Sequence, residues 1–153
     1  MTRAEPNSIF NFNKASVISD KKYMEKVTGF GGAFIKADDP KALAAWYEKH
    51  LGLPFGEHGY VDFSWINHNN PGQVGHTAFS FTKQTSKQFD PSEKKFMINF
   101  RVKNLESLLA ELKNEGVEIV GELQDYGDLG KFAHIMDPEG NKIELWQPGD
   151  EKS

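Results

Sequence analysis

Phe96 to Glu115 reads FMINFRVKNLESLLAELKNE. It contains a strand that runs directly into a helix. From Met97 to Val102 the residues alternate, with Ile98, Phe100 and Val102 apolar and Asn99 and Arg101 polar. Asn104 is the N-cap candidate, since its side-chain oxygen can take a free amide of the first turn. Leu105, Leu108, Leu109 and Leu112 then follow at helical spacing and make one apolar stripe. Gly116 stands where a helix ends on a left-handed residue.

The same plan occurs upstream. Ala33, Ile35 and Ala37 alternate with Phe34 and Lys36, Asp39 is the N-cap, and Pro40 suits the first helical position. Leu43, Trp46, Tyr47 and Leu51 supply the stripe, and Gly52 closes it. Ala37 and Val102 are 65 residues apart, as are Leu43 and Leu108, while Gly52 and Gly116 are 64 apart. Two strand–helix units in one register form an internal repeat.

Each unit continues into strands. After the first helix come Tyr60–Ile66 and Val74–Thr82, separated by the turn-forming NHNNPG. After the second come Glu118–Gln124, Gly130–Met136 and Lys142–Gln147, with Asp137-Pro138-Glu139-Gly140-Asn141 as the last turn. The expected plan of each half is strand–helix–strand–strand–strand. One such unit buries too little to stand alone, so two must pack together. The expected fold class is therefore α+β: two βαβββ modules forming a curved mixed sheet around a cleft, helices on the convex face. Module one spans 26–83, a charged linker 84–95 and module two 96–148, with a tail at 149–153. Residues 1–25 are read as a loosely ordered lead; they are equally readable as the product of an upstream start, with Met24 the alternative beginning.

Composition narrows the function. The 153 residues carry a net charge of −4, which disfavours nucleic acid as the main partner. No apolar run is long enough for a membrane helix, and no secretory leader is visible, so the cytoplasm is the expected location. The absence of cysteine excludes disulfides and thiolate metal sites. The 12 phenylalanines suffice for a core.

The paired modules, with Asp39-Pro40 through Tyr47 to Leu51-Gly52-Leu53 in one and NFRVKNLESLLAELKNEGVE and DPEGNKIELWQP in the other, resemble the vicinal-oxygen-chelate superfamily. That superfamily includes glyoxalase I, extradiol dioxygenases and bleomycin-resistance proteins. The resemblance implies metal-ligand positions on the first and last strand of each module. The first-strand positions fall at Gly32 and Met97, which offer no side chain and a soft thioether. The last-strand position of module two is Glu144. In module one, strand phase gives His76, whereas matching the strand ends gives Thr77. At best His76 and Glu144 remain, enough for a weakly held divalent metal with waters; no tightly bound metal is the preferred expectation.

Glu144 has two readings: a base that removes a proton next to a carbonyl, or an ion-pair partner of Arg101 or Lys36. Phe34, Asn99, Arg101 and Trp146 read as the substrate-binding wall, Arg101 being suited to clamping a carboxylate or phosphate. The alternative for Phe34 and Trp146 is a subunit interface. His50 suits the end of the first helix, while His58 and His68 lie in polar loops. His134 reads as a structural histidine, with projection into the cleft the alternative. The function expected from the resemblance is glyoxalase-like lyase or isomerase chemistry on a small oxygenated molecule. The alternative is metal-free small-molecule binding of the bleomycin-resistance type. A homodimer is expected, and the cleft can be built within one chain or between two.

Overall fold

The computed structural model describes residues 26–67 and 70–150. The lead and His68 lie outside the described residues. Strand β1 covers Val27–Ala37, helix α1 Pro40–Leu51, β2 Tyr60–Ile66, β3 Val74–Lys83 and β4 Phe96–Val102. Helix α2 covers Leu105–Asn114, and β5 Ile119–Asp125, β6 Lys131–Met136 and β7 Lys142–Gln147 follow. The seven strands form one mixed sheet in the order β2-β3-β1-β4-β7-β6-β5. The two halves meet where β1 runs antiparallel to β4, so the sheet is continuous within one chain.

Both helices start where the sequence places their caps. Asp39 accepts a hydrogen bond from the Ala42 amide at 3.0 Å, and Asn104 accepts one from Ser107 at 3.0 Å. The register puts both helices on one face. Ala33 lies beside Phe79 and Ile98, and Ile98 beside Ile143. Tyr47 of α1 packs on Phe79 and Phe81, with Phe55 closing the cluster. Leu105 and Leu108 of α2 join Val102, Ala133 and Leu145 in the main core. Trp46 and Leu51 depart from expectation. Both are exposed, and Trp46 rests on His50 with ring centroids 4.8 Å apart. Tyr47 is the stripe residue that reaches the aromatic cluster.

The halves differ in one element. Module two is strand–helix–strand–strand–strand, but residues 52–59 of module one form turns rather than a strand. Pro54 cannot donate to a ladder, and Gly56 and Gly59 both take positive φ, so this stretch cannot run extended. The segment 84–95 is more than a solvated linker. Phe89 is fully buried, Ser92 Oγ donates to the Gly140 carbonyl at 2.7 Å, and Lys142 Nζ donates to the Gln88 carbonyl at 2.7 Å. The turn Asp137–Asn141 is tied by its own acid, which accepts bonds from the Glu139 and Asn141 amides and the Asn141 side chain. Those bonds, the Asn141 side chain's first, hold the Asp137 carboxyl below the usual carboxylate range.

Candidate functional site

Strand pairing assembles a polar row on the face opposite the helices. Gly32 lies beside Asn99, Asn99 beside Glu144, and Glu144 beside His134. Neighbouring residues in a sheet project the same way, so four strands aim these positions at one place. The side chains close on each other. Asn99 Nδ2 donates to Glu144 Oε1 at 2.7 Å, and His134 Nε2 lies 2.8 Å from Glu144 Oε2. The Asn99 amide can only donate through its nitrogen, and the two contacts reach different oxygens of the Glu144 carboxyl. Asn99 is 2% exposed, and the His134 and Glu144 side chains are 16% and 15% exposed. Glu144 is thus held by Asn99 and His134, while Lys36 lies over the Phe89 ring at 5.3 Å.

The four first- and last-strand positions can be read from the register. A shift of 65 residues carries Phe34 onto Asn99, and their partners in the last strands are Ser80 and Glu144. Ser80, rather than His76 or Thr77, is therefore the module-one counterpart of Glu144. Phe79 and Phe81 flank it as Ile143 and Leu145 flank the acid. β3 has 10 residues against 6 in β7, so counting from the strand's beginning stops at His76, four residues short of Ser80. His76 instead joins Asp62, with Nδ1 to Oδ2 at 2.7 Å on a half-exposed part of β2 and β3. Thr77 accepts from Trp65 Nε1 at 2.9 Å and donates to the Phe30 carbonyl at 2.6 Å. Gly32, Met97, Ser80 and Glu144 supply a single hard anionic donor, a set that does not fit a divalent cation. Among the described residues, no three His, Cys, Asp or Glu side chains converge.

Arg101 is built into an aromatic row. Its guanidinium carbon is 4.9 Å from the Trp146 ring centre and 5.8 Å from that of Trp65. Trp146 stacks on Phe132 at 5.8 Å, and Phe132 meets Tyr126 edge-on at 5.6 Å. Trp65 fits because two glycines lie under it; a Cβ at Gly29 or Gly75 would overlap its ring. Phe34 lies on this same face, beside Met97 and Ser80. At the other end of the face, Lys142 is buried beneath the 84–95 segment. Burial pushes its ammonium below the ordinary lysine value, against the opposing pull of Glu144 and Asp90.

The sequence understated three of these residues. His134 was recoverable, because the five-residue turn 137–141 pairs Met136 with Lys142 and so brings His134 beside Glu144. Phe89 carried no periodic signal. Trp65 had one, since Gly75, its register partner, and Gly29 on β1 leave room for an indole.

The sequence pattern of the Glyoxalase/Bleomycin resistance protein/Dioxygenase superfamily matches residues 29–145. The chain belongs to this superfamily. That match reaches into both modules and covers Gly32, Asn99, Arg101, His134 and Glu144, with Trp146 just beyond its end. Among solved structures, methylmalonyl-CoA epimerase from Mycobacterium tuberculosis is similar at 21% identity and a TM-score of 0.53, over 83% of this chain and 92% of that one. A variant of the Streptomyces coelicolor methylmalonyl-CoA epimerase, in complex with 2-nitronate-propionyl-CoA, gives 15% identity and a TM-score of 0.58, over 83% and 99%. A Legionella pneumophila structure described as an NAD-dependent benzaldehyde dehydrogenase gives 11% and 0.51, over 76% and 97%. At these identities the likeness is one of fold. No curated protein matches the chain. No helix among the described residues is long and apolar enough to cross a membrane.

Proposed function

We propose that the helix-free face takes a small oxygenated organic molecule and that Glu144 acts there as the base of a glyoxalase-like isomerase or lyase. The observation that carries this reading is the Glu144 carboxylate, mostly buried and fixed from two sides by Asn99 and His134. A carboxylate held in one orientation can meet a carbon-bound proton in line, which is what positioned general base catalysis requires. Phe34, Trp146 and the Arg101 row would hold the organic part of the ligand. His134 can receive or return a proton through its second nitrogen. Two of the similar structures are epimerases by name, which supports isomerase-type chemistry over hydrolysis. No step is routed through a metal, because the donor set does not fit one.

A second reading is metal-free binding without turnover, in the manner of the bleomycin-resistance branch. The aromatic row around Arg101 favours it. One experiment separates the two. Small 2-hydroxy and 2-oxo carbonyl compounds are incubated with the protein in deuterium oxide, and loss of the carbon-bound proton is followed by NMR. The base reading expects exchange that survives chelator and falls by about 100-fold or more in Glu144→Gln. Ligand-induced thermal stabilisation without any exchange would favour binding, and neither effect would leave both readings without support. Homodimeric assembly belongs to the same proposal, and sedimentation tests it.

A further inference from the structure

Asn99 and Gly31 form a pair whose purpose lies in Glu144. Asn99 is 2% exposed, and its amide nitrogen is committed to the Glu144 carboxylate. Its other end is unusual. Asn99 Oδ1 is the one buried side-chain polar atom without a hydrogen-bond partner among the described residues. Turning the amide over would face two acceptors at 2.7 Å, so the carboxylate dictates the orientation and leaves Oδ1 unpaired. Buried polar atoms are nearly always paired, and an exception calls for a reason.

The oxygen rests on β1, at Gly31. The pairing of β1 with β4 skips that residue, jumping from Phe30–Phe100 to Gly32–Asn99, so Gly31 bulges toward Asn99. A Cβ at Gly31 would overlap Asn99 Oδ1 and lie 2.9 Å from Asn99 Cγ. Gly31 is not among the glycines with positive φ, so its backbone would accept any residue. Glycine is required there by the asparagine, and the asparagine is required by the acid.

We infer that Gly31 is the seat of Asn99, and that Asn99 is a positioning residue which aims Glu144 from the side opposite His134. The chemical consequence rests on Glu144 being the working base, but the arrangement can be tested without turnover.

The test is a double-mutant cycle with an NMR readout. In the wild-type protein, one Asn99 side-chain amide proton should be shifted downfield and exchange slowly with solvent. Glu144→Leu should abolish both features, which identifies the bond. Gly31→Ala should abolish them too and lower the folded-to-unfolded ratio about five- to thirty-fold, the scale of one lost buried contact. In an Asn99→Ala background the obstruction is gone, and only the Arg101 Cγ at 3.3 Å has to yield by a few tenths of an ångström. Gly31→Ala should then cost less than twofold. If Gly31→Ala does not fold alone, recovery of folding in the double variant supports the pair, and failure of both refutes it. Equal costs in the two backgrounds, or a wild-type Asn99 amide that exchanges freely, would also overturn it. Absence of proton exchange on any carbonyl compound would count against the base reading and leave this cycle untouched.

Discussion

Removing the Phe89 ring tests whether the 84–95 segment is part of the fold or a strap across it. The ring is 0% exposed, sits under the Lys36 ammonium at 5.3 Å, and is flanked by the Lys142–Gln88 and Ser92–Gly140 bonds. Phe89→Ala removes the six ring carbons from a fully buried site, so collapse can fill only part of the void. Such truncations cost about 3–5 kcal/mol. Loss of the ammonium–ring contact adds about 0.5–1 kcal/mol at a partly exposed site. A total near 4 kcal/mol would lower the melting temperature by roughly 8–16 °C for a chain of this size. Urea denaturation followed by tryptophan fluorescence measures it, with the slope checked for constancy so that the midpoint shift reports stability alone. A loss below about 1 kcal/mol, the range of surface substitutions, would mean that the segment packs loosely and that the end of the face above Lys36 and Lys142 is open.

Two further expectations concern pH. The folded Lys142 ammonium sits below the ordinary lysine value because it is buried. The unfolded chain therefore holds more protons between the folded value and about 10.4, and stability should climb with pH across that window. Lys142→Met should flatten the climb in denaturation curves taken at stepped pH; an unchanged slope would contradict the burial. Asp137 behaves in the opposite sense. Its carboxyl is held low by Asn141, so its contribution is present above the ordinary carboxylate value and fades as pH falls through the folded one. Asp137→Ala should remove that acid-side dependence and loosen the 137–141 turn, read as faster amide exchange at Asn141.

The helices and strand phases were legible because local chemistry decides them. Asp39 and Asn104 cap as their side chains allow, and Phe34 and Asn99, 65 residues apart, take equivalent places beside Ser80 and Glu144 on the last strands of their modules. What escaped was set by contacts distant in sequence. The first module's missing strand follows from a run of turn residues after α1, where the repeat suggested extension. The register of β3 depended on a strand longer than its counterpart, which displaced the expected ligand position from Ser80 to His76 or Thr77. The partnership of Glu144 with His134 instead of Arg101 depended on how the 137–141 turn fixes the β6–β7 pairing. Arg101 went elsewhere because Trp65, 36 positions upstream, lies flat on two glycines and reaches it.

Ser80 opposite Glu144 has a consequence for any guest. Duplicated halves around a dyad would let a molecule enter in either of two poses related by rotation, each meeting the same groups. Here one pose meets an acid braced by an imidazole, and the rotated pose meets an alcohol. Under the proposed base chemistry, handedness at the reacting carbon would follow from the divergence of the two copies, without any need for a differently shaped wall.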